Sequence, residues 1–186
     1  ACAISHDTLR QIIKGLLISR PFVYASNLPD YTNELFPELV NLINRKWPSS
    51  AETHTAINFR TGQTDAVFFA KGPKFGKDLY EGLVTPFLAS DLIVETWPNG
   101  VSKPFPSDCT SEHYTKDALA VNFGTGEWTT TKDHSKWAVA GEYVFIGGVN
   151  RQPSQTKRGG GGIAIHNSEF ANEMRNVITK VKECVV

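Results

Sequence analysis

The stretch Asp133-His134-Ser135-Lys136-Trp137 sets an imidazole two positions from an ammonium. After it come Ala138-Val139-Ala140, the pair Gly141-Glu142, and Tyr143-Val144-Phe145-Ile146. Two apolar, β-branched-rich runs around Gly141-Glu142 predict a β-hairpin. Residues two apart on a strand share a face, so His134 and Lys136 are expected side by side, roughly 7 Å apart. Such a pair suits phosphate chemistry. The ammonium fixes a non-bridging oxygen and stabilises the charge that builds on phosphorus. The imidazole attacks phosphorus or protonates a leaving oxygen.

More polar residues follow at short range. Asn150 stands behind Gly147-Gly148-Val149, and Arg151 comes next. Residues 150–162 read as a polar loop ending in Lys157-Arg158 and the four glycines Gly159 to Gly162. The glycines form either a flexible linker or a backbone that approaches a ligand closely, and the flanking Arg151, Lys157 and Arg158 favour an anion site. Upstream, Lys71, Lys74 and Lys77 crowd one turn. They are either solvated or in contact with a phosphate backbone.

H-x-K followed by G-G-x-N at this distance resembles the phospholipase D superfamily signature, within one residue of its usual spacing. The acidic position that normally follows H-x-K falls on Gly141, with Glu142 next to it. The closer resemblance is to deoxyribonuclease II. It is carried by Asp133-His134-Ser135-Lys136-Trp137, Gly147-x-x-Asn150-Arg151 and Arg158-Gly159-Gly160-Gly161. Phe69-Ala70-Lys71, Lys74-Phe75-Gly76 and Asp78-Leu79-Tyr80 also keep the family's order, over nearly the whole chain. One position departs from it: Gly148 stands where the family usually has Asp.

The resemblance implies a mixed α/β fold, a phospholipase D-like sheet flanked by helices that forms one half of a pseudo-two-fold pair. Residues 1–186 then make a single domain resembling the family's C-terminal half. It implies metal-independent cleavage of DNA in acid, leaving 3′-phosphate ends, with no cofactor. His134, Lys136 and Asn150 are the catalytic candidates, and Arg151, Arg158, Lys71 and Lys74 the substrate-binding ones. Such sites use two H-x-K motifs, and this chain has one. The other is expected from a first-half chain or from a second copy across an isologous contact; otherwise the chain is a non-catalytic relative. The role of His134, nucleophile or acid, stays open. A silent secreted binding or host-interaction protein and a lipid phosphodiesterase are the competing readings.

Composition narrows these classes. Lys+Arg and Asp+Glu both number 19, which argues against a tight DNA coat protein, since strong nucleic-acid binders carry a basic excess. It leaves room for a nuclease with a local basic cleft, and five histidines add positive charge in acid. No Asp/Glu cluster or Cys/His ligand pattern points to a metal. No apolar run approaches the roughly 18 residues of a membrane span. The opening Ala1-Cys2-Ala3 reads as the interior of a larger precursor. An odd count of three cysteines suggests one internal bridge and one external partner. The resemblance implies the bridge Cys109 to Cys184, Cys2 as the inter-chain candidate, and a secreted or lysosomal location.

The positioning elements are read from periodicity. Leu9, Ile12, Ile13, Leu16 and Leu17 predict a helix over 5–20, capped by Ser5. A second helix is expected from Leu35 to Trp47, with Pro37 in its first turn. Residues 53–60 and 66–70 form a hairpin, and Asp78 caps a helix from Leu79 to Leu88. Strands are expected at Asp91 to Trp97, Ala118 to Phe123 and Ile163 to Ile165. A final helix runs from Glu169 to about Glu183, with Phe170, Met174, Val177, Ile178 and Val181 on one side.

Overall fold

The computed structural model describes residues 4–47, 49, 51–100 and 102–184. Cys2, the expected inter-chain cysteine, lies outside them. The fold is mixed α/β, a large, mostly antiparallel sheet flanked by helices. Its nine strands are β1 (His54–Thr61), β2 (Thr64–Lys71), β3 (Leu92–Thr96), β4 (Thr115–Asn122), β5 (Glu127–Thr129), β6 (Lys136–Ala140), β7 (Tyr143–Gly147), β8 (Gly160–His166) and β9 (Ile178–Val181). They run in the order β1-β2-β8-β7-β6-β3-β4-β5, with β9 paired to β4. Only β3 and β4 pair in parallel.

Helix α1 (His6–Ser19) starts as expected, the Ser5 side chain accepting from the Thr8 amide. It lies on β1 and β2 through Ile12, Gly15 and Leu16, while Ile13 and Leu17 pack with Phe36 and Leu42. A Cβ on Gly15 would sit 2.6 Å from the Phe68 ring, so glycine sets that approach. The next helical stretch divides into α2 (Thr32–Leu35) and α3 (Pro37–Ile43), because Pro37 ends one helix and suits the first turn of the next. On the other face of the sheet, a π-helical turn over Tyr80–Val84 runs into α4 (Thr85–Leu88). One regular helix was expected here; Pro86 brings no amide hydrogen to the ladder, and the register shifts. Tyr80, Leu83 and Val84 pack with Phe69, Val94, Ala138 and Phe145 into the largest core cluster.

Two expectations change. The loop of residues 150–162 ends early: Gly160, Gly161 and Gly162 belong to β8 and pair with β2 and β7. The glycines serve close strand packing. A Cβ on Gly161 would overlap the Phe69 carbonyl, and one on Gly159 the Ser19 carbonyl that ends α1. The final helix, α5 (Ser168–Asn176), is capped by Asn167 but stops seven residues before Glu183. Beyond it, Ile178-Thr179-Lys180-Val181 runs along β4 as β9; β-branched residues fit a pleated, half-buried surface. The Cys109–Cys184 disulfide is present and joins the loop before β4 to the segment after β9.

The pairing gathers one end of the sheet. Lys71 lies opposite Gly160, Gly162 opposite Gly147, Trp137 opposite Ile146, and Lys136 opposite Thr96. The segments at 72–74, 97–99, 133–135, 148–151 and 157–159 therefore leave or enter the sheet at the same end. Because Gly161 packs where no side chain fits, Gly161→Ala is expected to destabilise by roughly 2 kcal/mol. The midpoint of urea unfolding should fall with an unchanged slope; an unmoved midpoint contradicts the close packing.

Candidate active site

His134 is exposed in the coil just before β6, which begins at Lys136. The expected alternation along one strand therefore does not set this pair. The His134 ring stacks on the Trp97 indole, with centroids 4.3 Å apart and planes 29° from parallel. Trp97 Nε1 and Asn99 Nδ2 both donate to the Thr131 carbonyl, which fixes the indole. Lys136 Nζ donates to the His134 carbonyl. Asp133 accepts the Ser135 amide at 2.8 Å, turning the backbone between the two.

Below this turn lies a residue that the sequence reading passed over. Glu95, on β3, is fully buried and pairs across from Trp137. Ser135 Oγ donates to Glu95 Oε2 at 3.0 Å, and Oε1 has no partner among the described residues. Burial pushes the Glu95 carboxyl up to about 8, helped by the Asp133 carboxylate and opposed by the Ser135 hydrogen bond and the Lys136 ammonium. A carboxyl inside the apolar run Leu92-Ile93-Val94 was the available signal, since charged residues are almost never fully buried unpaired.

Asn150 is held by its neighbours. The Val149 carbonyl accepts from Tyr80 Oη at 2.6 Å, the Arg151 amide donates to Thr96 Oγ1, and Gln152 Nε2 donates to the Trp97 carbonyl. Asn150 Oδ1 itself is buried without a partner among the described residues. Such an atom costs about 1–3 kcal/mol. A flip of the amide presents an NH2 donor at the same place, which suits a phosphate oxygen.

Two cations expected to touch substrate are instead built into the fold. The Arg151 side chain is fully buried, with Asp117 at 3.1 Å, Glu81 at 3.2 Å and Asp78 at 3.8 Å. Its guanidinium also donates to the carbonyls of Phe105 and Pro106. Burial pushes the Asp78 carboxyl up to about 6, against the pull of the Glu81 amide and Arg151, and raises Asp117 in the same way. Asp78 also accepts the Tyr80 and Glu81 amides, so it caps the π turn. Lys71 is buried, its Nζ donating to the carbonyls of Gln155, Thr156 and Arg158. Desolvation lowers its pKa. Lys71 thus holds the loop that presents Arg158, whereas Lys74, Lys157 and Arg158 are exposed. Among the described residues, no group of three His, Cys, Asp or Glu side chains is placed to hold a metal ion, and no helix is long and apolar enough to cross a membrane.

The family model for deoxyribonuclease II matches residues 2–184. The chain belongs to the deoxyribonuclease II family. It is 35% identical to Deoxyribonuclease-2 of Caenorhabditis elegans over 95% of its own length and 48% of that protein's. It is 32% identical to Plancitoxin-1 of Acanthaster planci (96% and 51% of the two chains) and 31% identical to Deoxyribonuclease-2-alpha of Mus musculus (94% and 51%). The chain therefore spans about half the length of these deoxyribonuclease II relatives.

Glu95 gives the fold a definite pH dependence. Its folded pKa lies above the usual 4.5, so the folded protein holds the proton more tightly. The stability this confers is complete below about pH 4.5 and is lost as pH rises through about 8. Unfolding free energy should fall by roughly 2–4 kcal/mol across that interval. Glu95→Gln, which keeps the shape and the hydrogen bond from Ser135, should flatten the curve and exceed wild type at about pH 8. Parallel curves for the two proteins in denaturant titrations across this range contradict the assignment.

Proposed function

We propose that this chain supplies one half of a metal-independent acid endodeoxyribonuclease, whose second half is the remainder of a longer protein or a second copy. The reaction is hydrolysis of DNA phosphodiesters to 3′-phosphate ends in two displacements: one histidine attacks phosphorus while another protonates the leaving 5′ oxygen, and water, deprotonated by that second histidine, then breaks the N–P bond and releases the 3′-phosphate. His134 is one of the two. Lys136 and the Asn150 amide neutralise and orient the phosphate, and Arg158 steers the strand. The single observation that carries the reading is the convergence at one end of the sheet: an exposed imidazole, a lysine, and an asparagine anchored on both sides yet lacking a partner among the described residues.

Further features support the surrounding proposal. The sheet is read as phospholipase D-like and the chain as the C-terminal half of a pseudo-two-fold pair. An apolar groove of about 540 Å³ opens beside Gly147 and Gly148. Ile146 and Ile163 are exposed along it, which gives the second half a surface to cover. The Cys109–Cys184 disulfide fits an oxidising, secreted or lysosomal location. Glu95 keeps its proton in acid, so the carboxyl beneath the His134 turn is uncharged where the reaction is placed.

One observation favours a second reading, a silent DNA- or host-binding relative. Gly148 replaces the acidic residue of the family pattern. The space beside it is open, with nothing within 4 Å of a Cβ built there, so Asp fits without displacement.

Plasmid nicking in EDTA at about pH 5, with the second half present, tests the first reading. His134→Ala should lower the rate by about 10³-fold or more. Equal rates, or no nicking by wild type, overturn it; turnover of lipid without DNA cleavage points to a lipid phosphodiesterase. If the acidic residue contributes to the site, Gly148→Asp should raise nicking about tenfold, equivalent to about 1.4 kcal/mol of transition-state stabilisation. An unchanged or lower rate removes Gly148 as the reason for silence.

A further inference from the structure

The end of the sheet that carries His134 continues past it to a second basic feature. From β6 the strand order passes through β7 and β8 to β2, three steps of about 4.8 Å, or about 14 Å. There the chain leaves β2 through Gly72-Pro73-Lys74 and meets the C-terminus of α1. A Cβ on Gly72 would press on the Ile18 carbonyl at 2.7 Å, so α1 and this turn are held against each other. Between them lies a pocket of about 580 Å³ whose lining includes Lys14, Arg20, Lys74 and one acidic residue, Glu52. All three cations are exposed. Their side chains make no ion pair or hydrogen bond among the described residues, which holds also for Lys46, Lys77, Lys103, Lys132 and Lys157; what sets these three apart is that they line one concavity. Arg158 stands between this pocket and the His134 turn, because Gly159 packs on Ser19 and the Arg158 carbonyl is held by Lys71.

Unpaired cations cost little at a surface, but three around one concavity repel one another. In a chain of zero net charge their grouping is not a product of composition. The opposite charge that fits is linear and repeated, at a distance set by the fold. One DNA strand offers a phosphate every 3.4 Å of axial rise, so about 14 Å corresponds to about four base pairs.

We propose that the pocket between α1 and the turn after β2 is a second DNA-backbone site, in which Lys14, Arg20 and Lys74 bind phosphates at least about four base pairs from the one at His134. The inference rests on the nuclease reading for the identity of the polyanion. The site acts on affinity and on the length of DNA engaged. It takes no part in bond cleavage.

The test is DNA binding by the full chain, separate from cleavage. Fluorescence anisotropy would follow labelled hairpin duplexes with stems from about 3 to about 20 base pairs over a salt series. The triple variant Lys14→Gln, Arg20→Gln, Lys74→Gln should weaken binding of the long duplex by about tenfold or more near 0.1 M salt. The slope of log K against log salt should become shallower by roughly 3. The loss should vanish for duplexes too short to reach from His134 to the pocket. Arg60→Gln, at the opposite end of the sheet, should leave the slope unchanged. Thermal unfolding of the triple variant should match wild type, since none of the three side chains has a partner to lose. An unchanged salt slope overturns the proposal, as does an equal loss at every duplex length. Weakened binding to anionic phosphatidylserine vesicles with DNA binding intact would assign the pocket to membranes and also overturn it. Failure of wild type to nick DNA, with this length dependence preserved, would remove the nuclease reading and leave the pocket standing.

Discussion

The buried guanidinium of Arg151 is the constraint from which the site's geometry follows. It reaches three carboxylates and two carbonyls contributed by the π turn, by β4 and by the loop before it. Taking a charge out of water costs several kcal/mol, and the attraction of its partners offsets this only where all of them are in place. Such a network adds little net stability compared with an apolar core. Its effect is to admit one arrangement, because displacing any partner leaves an uncompensated buried charge, at a cost of about 3–5 kcal/mol. Asn150 precedes this anchor, and Gln152 follows it, bonded to the Trp97 carbonyl. Trp97 in turn carries the His134 ring. A structural cation thus fixes both the amide and the imidazole without touching a substrate.

The glycine-containing strand supplies the other half of the geometry. β8 lies between β2 and β7, and Gly161 and Gly162 approach backbone on both neighbours. Side chains there would push the strands apart and move Lys71 away from the carbonyls of residues 155, 156 and 158. Lys71 and Arg151 act alike in this respect. Each is a cation removed from solvent to hold the loop between β7 and β8, at its start and at its end.

Residue types and spacing picked out His134, Lys136, Asn150 and Arg158 as candidates, because the chemistry that marks them is local to short motifs. They also showed the hairpins and the cap at Ser5. They misplaced Arg151 and Lys71. A charge in a polar segment reads as exposed, and its burial is decided by partners far along the chain: Asp117 at 34 residues and Glu81 at 70 from Arg151, and Gln155 at 84 from Lys71. Four consecutive glycines read as loop because glycine has little strand propensity. Only the pairing of β8 on both edges shows why no other residue fits. Residues after Asn176 kept a helical spacing of apolar side chains, but the free edge of β4 and the β-branched run outweighed it. Glu95 was hidden by the opposite effect, a carboxyl whose neighbours are apolar in sequence and polar only in space.

These burials change how the charge of the molecule should be counted. Zero net charge at pH 7 assigns a full negative charge to Glu95, yet burial holds that proton to about pH 8. The folded chain is therefore more positive than its composition at neutral pH. Asp78, held up to about 6, extends the same tendency into acid. The carboxylates that remain ionised around Arg151 are matched by a cation in the interior and project little field outward. Lys14, Arg20, Lys74, Lys157 and Arg158, exposed at one end of the sheet, face solvent with few opposing charges nearby. A neutral composition argues against a uniformly basic, DNA-coating surface. It is compatible with a single basic end, because carboxylates and cations are sorted by burial and by position on the sheet. Potential at a cleft depends on that sorting and on the low dielectric behind it. As pH falls through about 8, protonation of Glu95 removes negative charge from beneath His134, so this carboxyl's contributions to stability and to attraction for a polyanion grow in the same direction.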